Sequence, residues 1–243
     1  MDEHGVVTTT LQVDGRFCGP PNSGNGGYSA GRLAAYLRPS DCEAVEVTLR
    51  APVPLGRDLE VRVEGDSASM LDDTRLIASA RVVSHVLDVP DCVPFDVAAQ
   101  VVRDAPLRGF VDDHPFPGCF VCGPDREPGD GLRLFAARVP DTQYFAVPWT
   151  VADAGAEFVW AALDCPSSFP MYLAEDPFDG PCVLGRLTAA VERIPNVSER
   201  TVVMAWRESV DGRKLRTASA LFGEDGSRCA SARATWIRVT PAS

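Results

Sequence analysis

The first half of the chain alternates apolar and polar positions in short runs. Residues 6–13 are rich in β-branched side chains, a composition typical of a strand. Apolar residues at helical spacing predict a helix over about 27–37, which Pro39 ends. The pattern then predicts further strands over 44–50, 58–64 and 75–87.

The second half follows the same scheme. A helix is predicted over 153–165, and because it is apolar on nearly every side it should be deeply buried. Asp211-Gly212 and Asp225-Gly226 are hairpin signals between strands. The strands predicted in this half cover residues 131–138, 142–148, 182–193, 200–209, 214–222 and 228–239.

The two halves resemble each other in the same order of features, which indicates an internal duplication. The tetrapeptide ASAR occurs at 78–81 and again at 230–233. Residues 46–63 align with 185–204, which places Thr48 over Thr188. One buried helix wrapped by an antiparallel sheet, made twice, is an α+β architecture. The predicted domains are 1–108 and 109–243.

Composition narrows the function classes. The 243 residues carry a net charge of −11, whereas a nucleic-acid-binding protein usually shows a basic surface. No run of about 18 apolar residues exists for a membrane helix, and the acidic start lacks the apolar segment of a secretory signal. We therefore expect a cytoplasmic protein that binds neither nucleic acid nor membrane, with its eight cysteines reduced.

The stretch HPFPGCFVCGPDREPGDGLRL, residues 114–134, holds the one Cys-x-x-Cys of the chain, Cys119 and Cys122, together with His114. A structural zinc site needs about four ligands, and the sequence shows no second cluster. A redox pair should open a helix, but Gly123-Pro124 follows at once and indicates a loop. Metal, redox and structural roles stay open. The pattern favours a seam between the halves, and we expect no metal and no cofactor.

Three stretches carry a resemblance to a known family. They are GNGGYSAGRLAAYL followed by VTLRAPVPLGRDLEVRV, then CFVCGPDREPGDGLRL, and finally VWAALDCPSS. Together they resemble the hotdog-fold thioesterase superfamily in its double-hotdog, acyl-CoA thioesterase-like form. The resemblance implies an acyl-thioester hydrolase acting on acyl-CoA or acyl-carrier thioesters. Its site would lie between the halves, and further pairing into a homo-oligomer is compatible with it.

Two candidate parts of such a site lie in different halves. In Asn25-Gly26-Gly27 the glycines allow close approach of a ligand, and free N–H groups at the helix start can stabilise an oxyanion. Asp164 is a carboxylate in an apolar helix, a costly placement that suggests a base or a nucleophile. Alternatively, the Asp164 carboxylate has a structural role and forms an ion pair with Arg186 or Arg233. The position matched to Asp164 in the first half is Leu37.

The resemblance adds further candidates. Double-hotdog thioesterases orient water with an aspartate, a threonine or serine, and a glutamine. Asp164 and Thr188 match the first two, but Arg233 stands near the third in place of glutamine, which argues against water activation of that type. Arg233 is instead a substrate-binding candidate, as are Ser167 and Ser168, which follow the helix. Many members also have histidine where this chain has Asn25.

Two functions remain open from the sequence. In a hydrolase, the acyl chain of the substrate would lie between the two helices, along Phe158, Trp160 and Leu163. A non-catalytic hotdog would bind an acyl or other apolar ligand instead. An open cleft reaching Asp164 and Gly27 would favour the enzyme, whereas a closed Asp164–Arg233 pair would favour binding. Neither predicted helix contains a histidine, which counts against a dehydratase.

Overall fold

A computed structural model describes residues 6–105, 111–173, 177 and 180–239. Its main feature is a single antiparallel sheet of eleven strands that wraps around two helices. The strands are β1 (Val7–Gln12), β2 (Glu43–Leu49), β3 (Asp58–Glu64), β4 (Ser67–Asp72), β5 (Arg75–Ser84), β6 (Ala137–Arg138), β7 (Phe145–Thr150), β8 (Cys182–Val191), β9 (Arg200–Asp211), β10 (Lys214–Phe222) and β11 (Arg228–Arg238). The helices are α1 (Gly26–Ala34), α2 (Phe95–Asp104), α3 (Ala156–Asp164) and the single turn α4 (Phe169–Tyr172). The predicted α+β class is confirmed.

The strand order shows the duplication directly. It runs β1-β3-β4-β5-β2 through the first half and continues as β8-β11-β10-β9-β7-β6 through the second. Reversing the second half gives the order of the first, with β6 added at the edge. β2 and β8 pair antiparallel at the centre and join the halves into one sheet.

The register of the central pair is compatible with the alignment of the two threonines. Val47 lies opposite Leu187, while Thr48 lies opposite Arg186 and Glu46 opposite Thr188. A two-fold axis through the Val47–Leu187 pair would relate Thr48 to Thr188. The ASAR match is different, because Val47 pairs with Ala80 and Leu187 pairs with Ala234. The two tetrapeptides lie on equivalent strands but are offset by two residues.

The helices α1 and α3 cross inside the sheet at very short range. An added Cβ at Gly27 would stand 3.0 Å from Ala161 Cα, and one at Gly31 would stand 2.8 Å from Glu157 Cα. These symmetric contacts relate each residue of α1 to the residue 130 positions later in α3. Ala34 is therefore the counterpart of Asp164, and the expected counterpart, Leu37, lies beyond the end of α1.

Three elements, β4, α2 and the single turn α4, were missed by the sequence patterns, and one strand was overestimated. The short strand β4 went unnoticed between two predicted strands. Helix α2 packs against β7 and covers an apolar outer face of the second half that includes Met204 and Trp206. The strand predicted over 131–138 is reduced to the two residues of β6. The hairpin signals are confirmed, since Gly212 and Gly226 both adopt positive φ.

The predicted boundary between residues 108 and 109 lies outside the described residues. Helix α2 precedes that boundary, yet it packs on the second half. One continuous core spans both halves. No helix in the described ranges has the length and hydropathy needed to cross a bilayer.

Candidate active site

Asp164, the last residue of α3, meets the first turn of α1 from the other half. Its Oδ2 accepts a hydrogen bond of 2.8 Å from the Gly27 N–H. An added Cβ at Gly27 would lie 2.4 Å from Asp164 Cβ, so only glycine permits this approach. The two predicted parts of the site are therefore in direct contact, and the contact joins the halves.

The start of α1 presents a set of backbone donors. Asn25 is the N-cap residue, and its Oδ1 accepts a hydrogen bond of 2.9 Å from the Tyr28 N–H. Gly27 donates to Asp164, whereas the Gly26 N–H finds no acceptor among the residues that the structure describes. Free N–H groups at a helix start carry partial positive charge and can hold an oxygen that becomes negative during a reaction. Gly26 therefore provides the available donor.

Asp164 is buried without a cation beside it. The residue is 2% exposed, and its Oδ1 has no hydrogen-bond partner within the described part of the chain. Arg186 contacts Thr48 and Glu46, and Arg233 pairs with Glu208 at 2.9 Å, so neither of the alternative ion pairs forms. Burial raises the pKa of Asp164 to about 7, and the Gly27 hydrogen bond partly opposes the rise.

A cavity of about 350 Å³ opens onto this carboxylate. Asn25, Gly26 and Asp164 form part of its wall, and Ser168 lies in the wall as well. Ser167 lies behind it, where its Oγ donates to the Asp164 carbonyl and accepts from Trp236 Nε1. The rest of the wall is mainly apolar and includes Leu49, Val53, Phe116, Tyr172, Leu184, Trp236 and Ile237. An apolar pocket with a few convergent polar groups is typical of a small-molecule site.

No family model and no curated protein matches this sequence. Solved structures do match over almost the whole chain. A Thermobifida fusca protein that carries the name thioesterase II superposes with a TM-score of 0.62 at 14% identity, covering 98% of this chain and 96% of its own. An acyl-CoA thioesterase II, TesB2, from Mycobacterium marinum gives 0.56 at 14% identity, covering 97% and 94%. A hot dog fold protein from Alicyclobacillus acidocaldarius gives 0.55 at 12% identity, covering 100% and 96%.

The chain has the double-hotdog fold. Among the matching structures is also a GphF dehydratase variant, with a TM-score of 0.54 at 12% identity, covering 96% of this chain and 93% of its own. The fold is therefore shared by proteins named for different reactions, and the side chains of the site have to indicate the chemistry.

In this double hotdog, Thr188 and Arg233 do not belong to the site. Leu187 and Ala189 are buried in the core, so Thr188 between them points to the outer face of the sheet. Ala232 and Ala234 are likewise buried, which turns Arg233 outward to Glu208 and the Val86 carbonyl. The expectations that Thr188 orients water beside Asp164 and that Arg233 binds substrate there are wrong, because each lies one step out of phase on its strand.

The expected acyl path between the helices of the double hotdog is also wrong. Trp160 and Leu163 are buried against other residues, and Phe158 makes edge-on and tilted contacts with the rings of Tyr28 and Phe120. None of the three belongs to the cavity wall. The crossing at Gly27 and Gly31 is too close to leave a channel, so the cavity lies instead at the C-terminal end of α3.

The sequence patterns missed a group of three buried cysteines in the cavity wall. Cys119 and Cys122 come from the central Cys-x-x-Cys, and Cys165 directly follows α3. The Phe120 N–H donates to the Cys18 carbonyl at 2.8 Å, so the central stretch lies on the loop that precedes α1. The central stretch therefore connects the two halves and also forms part of the cavity wall. Cys165 gave no signal in the sequence because it joins the pair only through folding.

Proposed function

We propose that this protein is an acyl-thioester hydrolase acting on acyl-CoA-like substrates, with its reaction centre at Asp164 and the start of α1. The observation that carries the proposal is the buried carboxylate in an apolar cavity wall, held by the Gly27 N–H and lacking a cation. A carboxylate in that environment is costly for the fold, and such costs concentrate at reactive sites.

The proposed mechanism follows from the two oxygens of Asp164. Oδ2 is held by Gly27, which fixes the carboxylate in one orientation. Oδ1 is buried and has no partner among the described residues, so a water molecule that reaches it from the cavity would find it free to accept a proton. A base with a pKa near 7 is well matched to proton transfer at neutral pH.

The substrate carbonyl is placed by the same geometry. The thioester oxygen would lie at the Gly26 N–H, near the positive end of α1, where negative charge on the oxygen is stabilised as water attacks. Water adds to the carbonyl carbon, the C–S bond breaks, and the thiol leaves with a proton. The apolar walls of the cavity would take the acyl group. This chemistry needs no cofactor.

Non-catalytic binding of an acyl or other apolar ligand is the second candidate. Two observations favour it. The Gly27 N–H that could polarise a carbonyl is already bonded to Asp164, and no threonine or glutamine among the described residues hydrogen-bonds the carboxylate. A dehydratase is less well supported, because α1 and α3 contain no histidine.

Thiol release from a panel of acyl-CoAs separates the two candidates. The panel should run from short to long chains and include aromatic acyl groups. Under the hydrolase proposal at least one substrate turns over many times per chain, and free carboxylic acid appears in equal amount. Absence of turnover across the panel, together with an apolar ligand that co-purifies and is detected by mass spectrometry, would favour the binding candidate.

A cytoplasmic location, in keeping with the free cysteines, is part of the proposal.

A further inference from the structure

Three cysteine sulfur atoms converge in the wall of the cavity. The Sγ atoms of Cys119, Cys122 and Cys165 all lie within 4.8 Å of one another, and those of Cys119 and Cys165 are 3.7 Å apart. All three side chains are buried. The group combines two residues of the central stretch with one residue from the end of α3.

The spacing fits a four-coordinate metal centre. Zinc binds thiolate sulfur at about 2.3 Å, so the sulfur atoms at two corners of a tetrahedron lie about 3.8 Å apart. The 3.7 Å between Cys119 and Cys165 agrees with that edge. A disulfide would need a much shorter separation of about 2.05 Å. One edge of the group therefore has the separation that a shared ion requires, and the third sulfur atom lies within 4.8 Å of both.

A hydrogen-bond donor faces two of the sulfur atoms. The Asn25 amide donates to Cys119 Sγ at 3.7 Å and to Cys165 Sγ at 3.5 Å. A cysteine that only fills apolar space needs no such donors, whereas a thiolate ligand is stabilised by them.

We propose that Cys119, Cys122 and Cys165 form a binding site for a thiophilic, four-coordinate cation of the Zn²⁺ type. The fourth coordination position would open to the cavity, since all three cysteines line it. Three thiolates and a divalent ion leave one net negative charge, which the Asn25 amide and the N-terminal end of α1 offset. The sequence alone predicted no metal, because it offered only one Cys-x-x-Cys.

The ion would join three separate parts of the chain. Cys119 and Cys122 belong to the central stretch, Cys165 follows α3, and Asn25 caps α1 while contacting two of the sulfur atoms. Binding would therefore hold the cavity wall in place and raise the thermal stability of the protein.

Metal content tests the proposal without any acyl substrate, so the result does not depend on hydrolysis. The protein is purified without a metal-binding tag, in reductant and with zinc in the growth medium, and zinc is measured by mass spectrometry. We expect about one zinc ion per chain. Reduced apo-protein titrated with Co²⁺ alone should develop the thiolate-to-cobalt absorption band and the visible bands of a tetrahedral site.

A matched set of cysteine variants locates the ion. Cys119→Ser and Cys165→Ser should each lower the zinc content to about a tenth or less under competition from a chelator. Cys182→Ser is the control, because Cys182 is a buried cysteine in the same cavity wall but lies outside the cluster, and it should keep its zinc. Circular dichroism checks that each variant is folded.

Several results would overturn the proposal. Reduced wild-type protein that takes up neither Zn²⁺ nor Co²⁺ has no such site, and this result stands even if the variants fail to fold. A disulfide among the three cysteines, combined with lack of metal uptake after reduction, would assign the cluster to redox chemistry. Zinc retained equally by Cys165→Ser and Cys182→Ser would place the ion elsewhere.

Discussion

Adding one methyl group at Gly31 tests how closely the two halves meet. In Gly31→Ala the new Cβ would stand 2.8 Å from Glu157 Cα, 2.8 Å from Trp160 Cβ and 2.9 Å from Trp160 Cγ. Glu157 Cα is a backbone atom and cannot rotate away, so α1 and α3 have to separate. Overpacking of this kind costs about 1–3 kcal/mol, while replacing glycine inside a helix returns about 1 kcal/mol. With a backbone atom in the contact, we expect a net destabilisation of about 1–2 kcal/mol.

Whether Gly31→Ala lowers or raises the free energy of unfolding decides between a close helix crossing and helix propensity alone. Urea unfolding gives the free energy of unfolding of Gly31→Ala, and Gly15→Ala serves as the control, since an added Cβ there meets no atom within 4 Å. The control should change stability by less than about 0.5 kcal/mol. If Gly31→Ala instead stabilised the protein by about 1 kcal/mol, helix propensity alone would be acting and the close crossing would be refuted.

Two further predictions concern charged groups. Arg50 is exposed at the rim of the cavity, so Arg50→Ala should raise KM about three- to tenfold for acyl-CoA because a phosphate contact is lost. KM for an acyl-N-acetylcysteamine thioester, which has no phosphate, should not change, and an equal rise for both substrates would contradict the assignment. The Arg193 hydrogen bonds lower the pKa of Glu199 from 4.5 to about 2, so this pair stabilises the fold above pH 4.5 and loses that contribution as the pH falls towards 2. Glu199→Gln should cost about 1–2 kcal/mol at pH 7 and progressively less below pH 4.5 in urea unfolding, and a cost independent of pH would contradict the reasoning.

The sequence predicted most of the fold because its strands and helices are regular. The strands over 58–64 and 214–222 have the predicted bounds, and the hairpin glycines fall where their turns require them. Helix α2 was not predicted. It packs on an apolar outer face of the second half, and that contact exists only once the sheet has folded. The spacing of apolar residues predicts helices and strands well, but it does not show which face of the sheet another segment of the chain will cover.

The candidate site was predicted less completely. Asp164 was identified because a carboxylate in an apolar helix conflicts with its surroundings, and Gly27 because paired glycines precede a helix. Thr188 and Arg233 were misassigned because the resemblance was followed in place of the alternation along each strand. Each stands between two apolar residues that are buried, so its own side chain points outward. Cys165 was overlooked because the other two cysteines of the cluster are distant from it in the chain, and only folding brings the three together.

Comparing turnover by wild-type protein and Asp164→Asn tests the central claim most directly. Asparagine preserves the size of the side chain and can still accept the Gly27 hydrogen bond, but it cannot take a proton from water. The account predicts that kcat for the preferred acyl-CoA falls about 10²- to 10⁴-fold, while the free energy of unfolding is unchanged or higher. Equal turnover by both proteins would contradict the account and place the reaction centre away from the contact between α1 and α3.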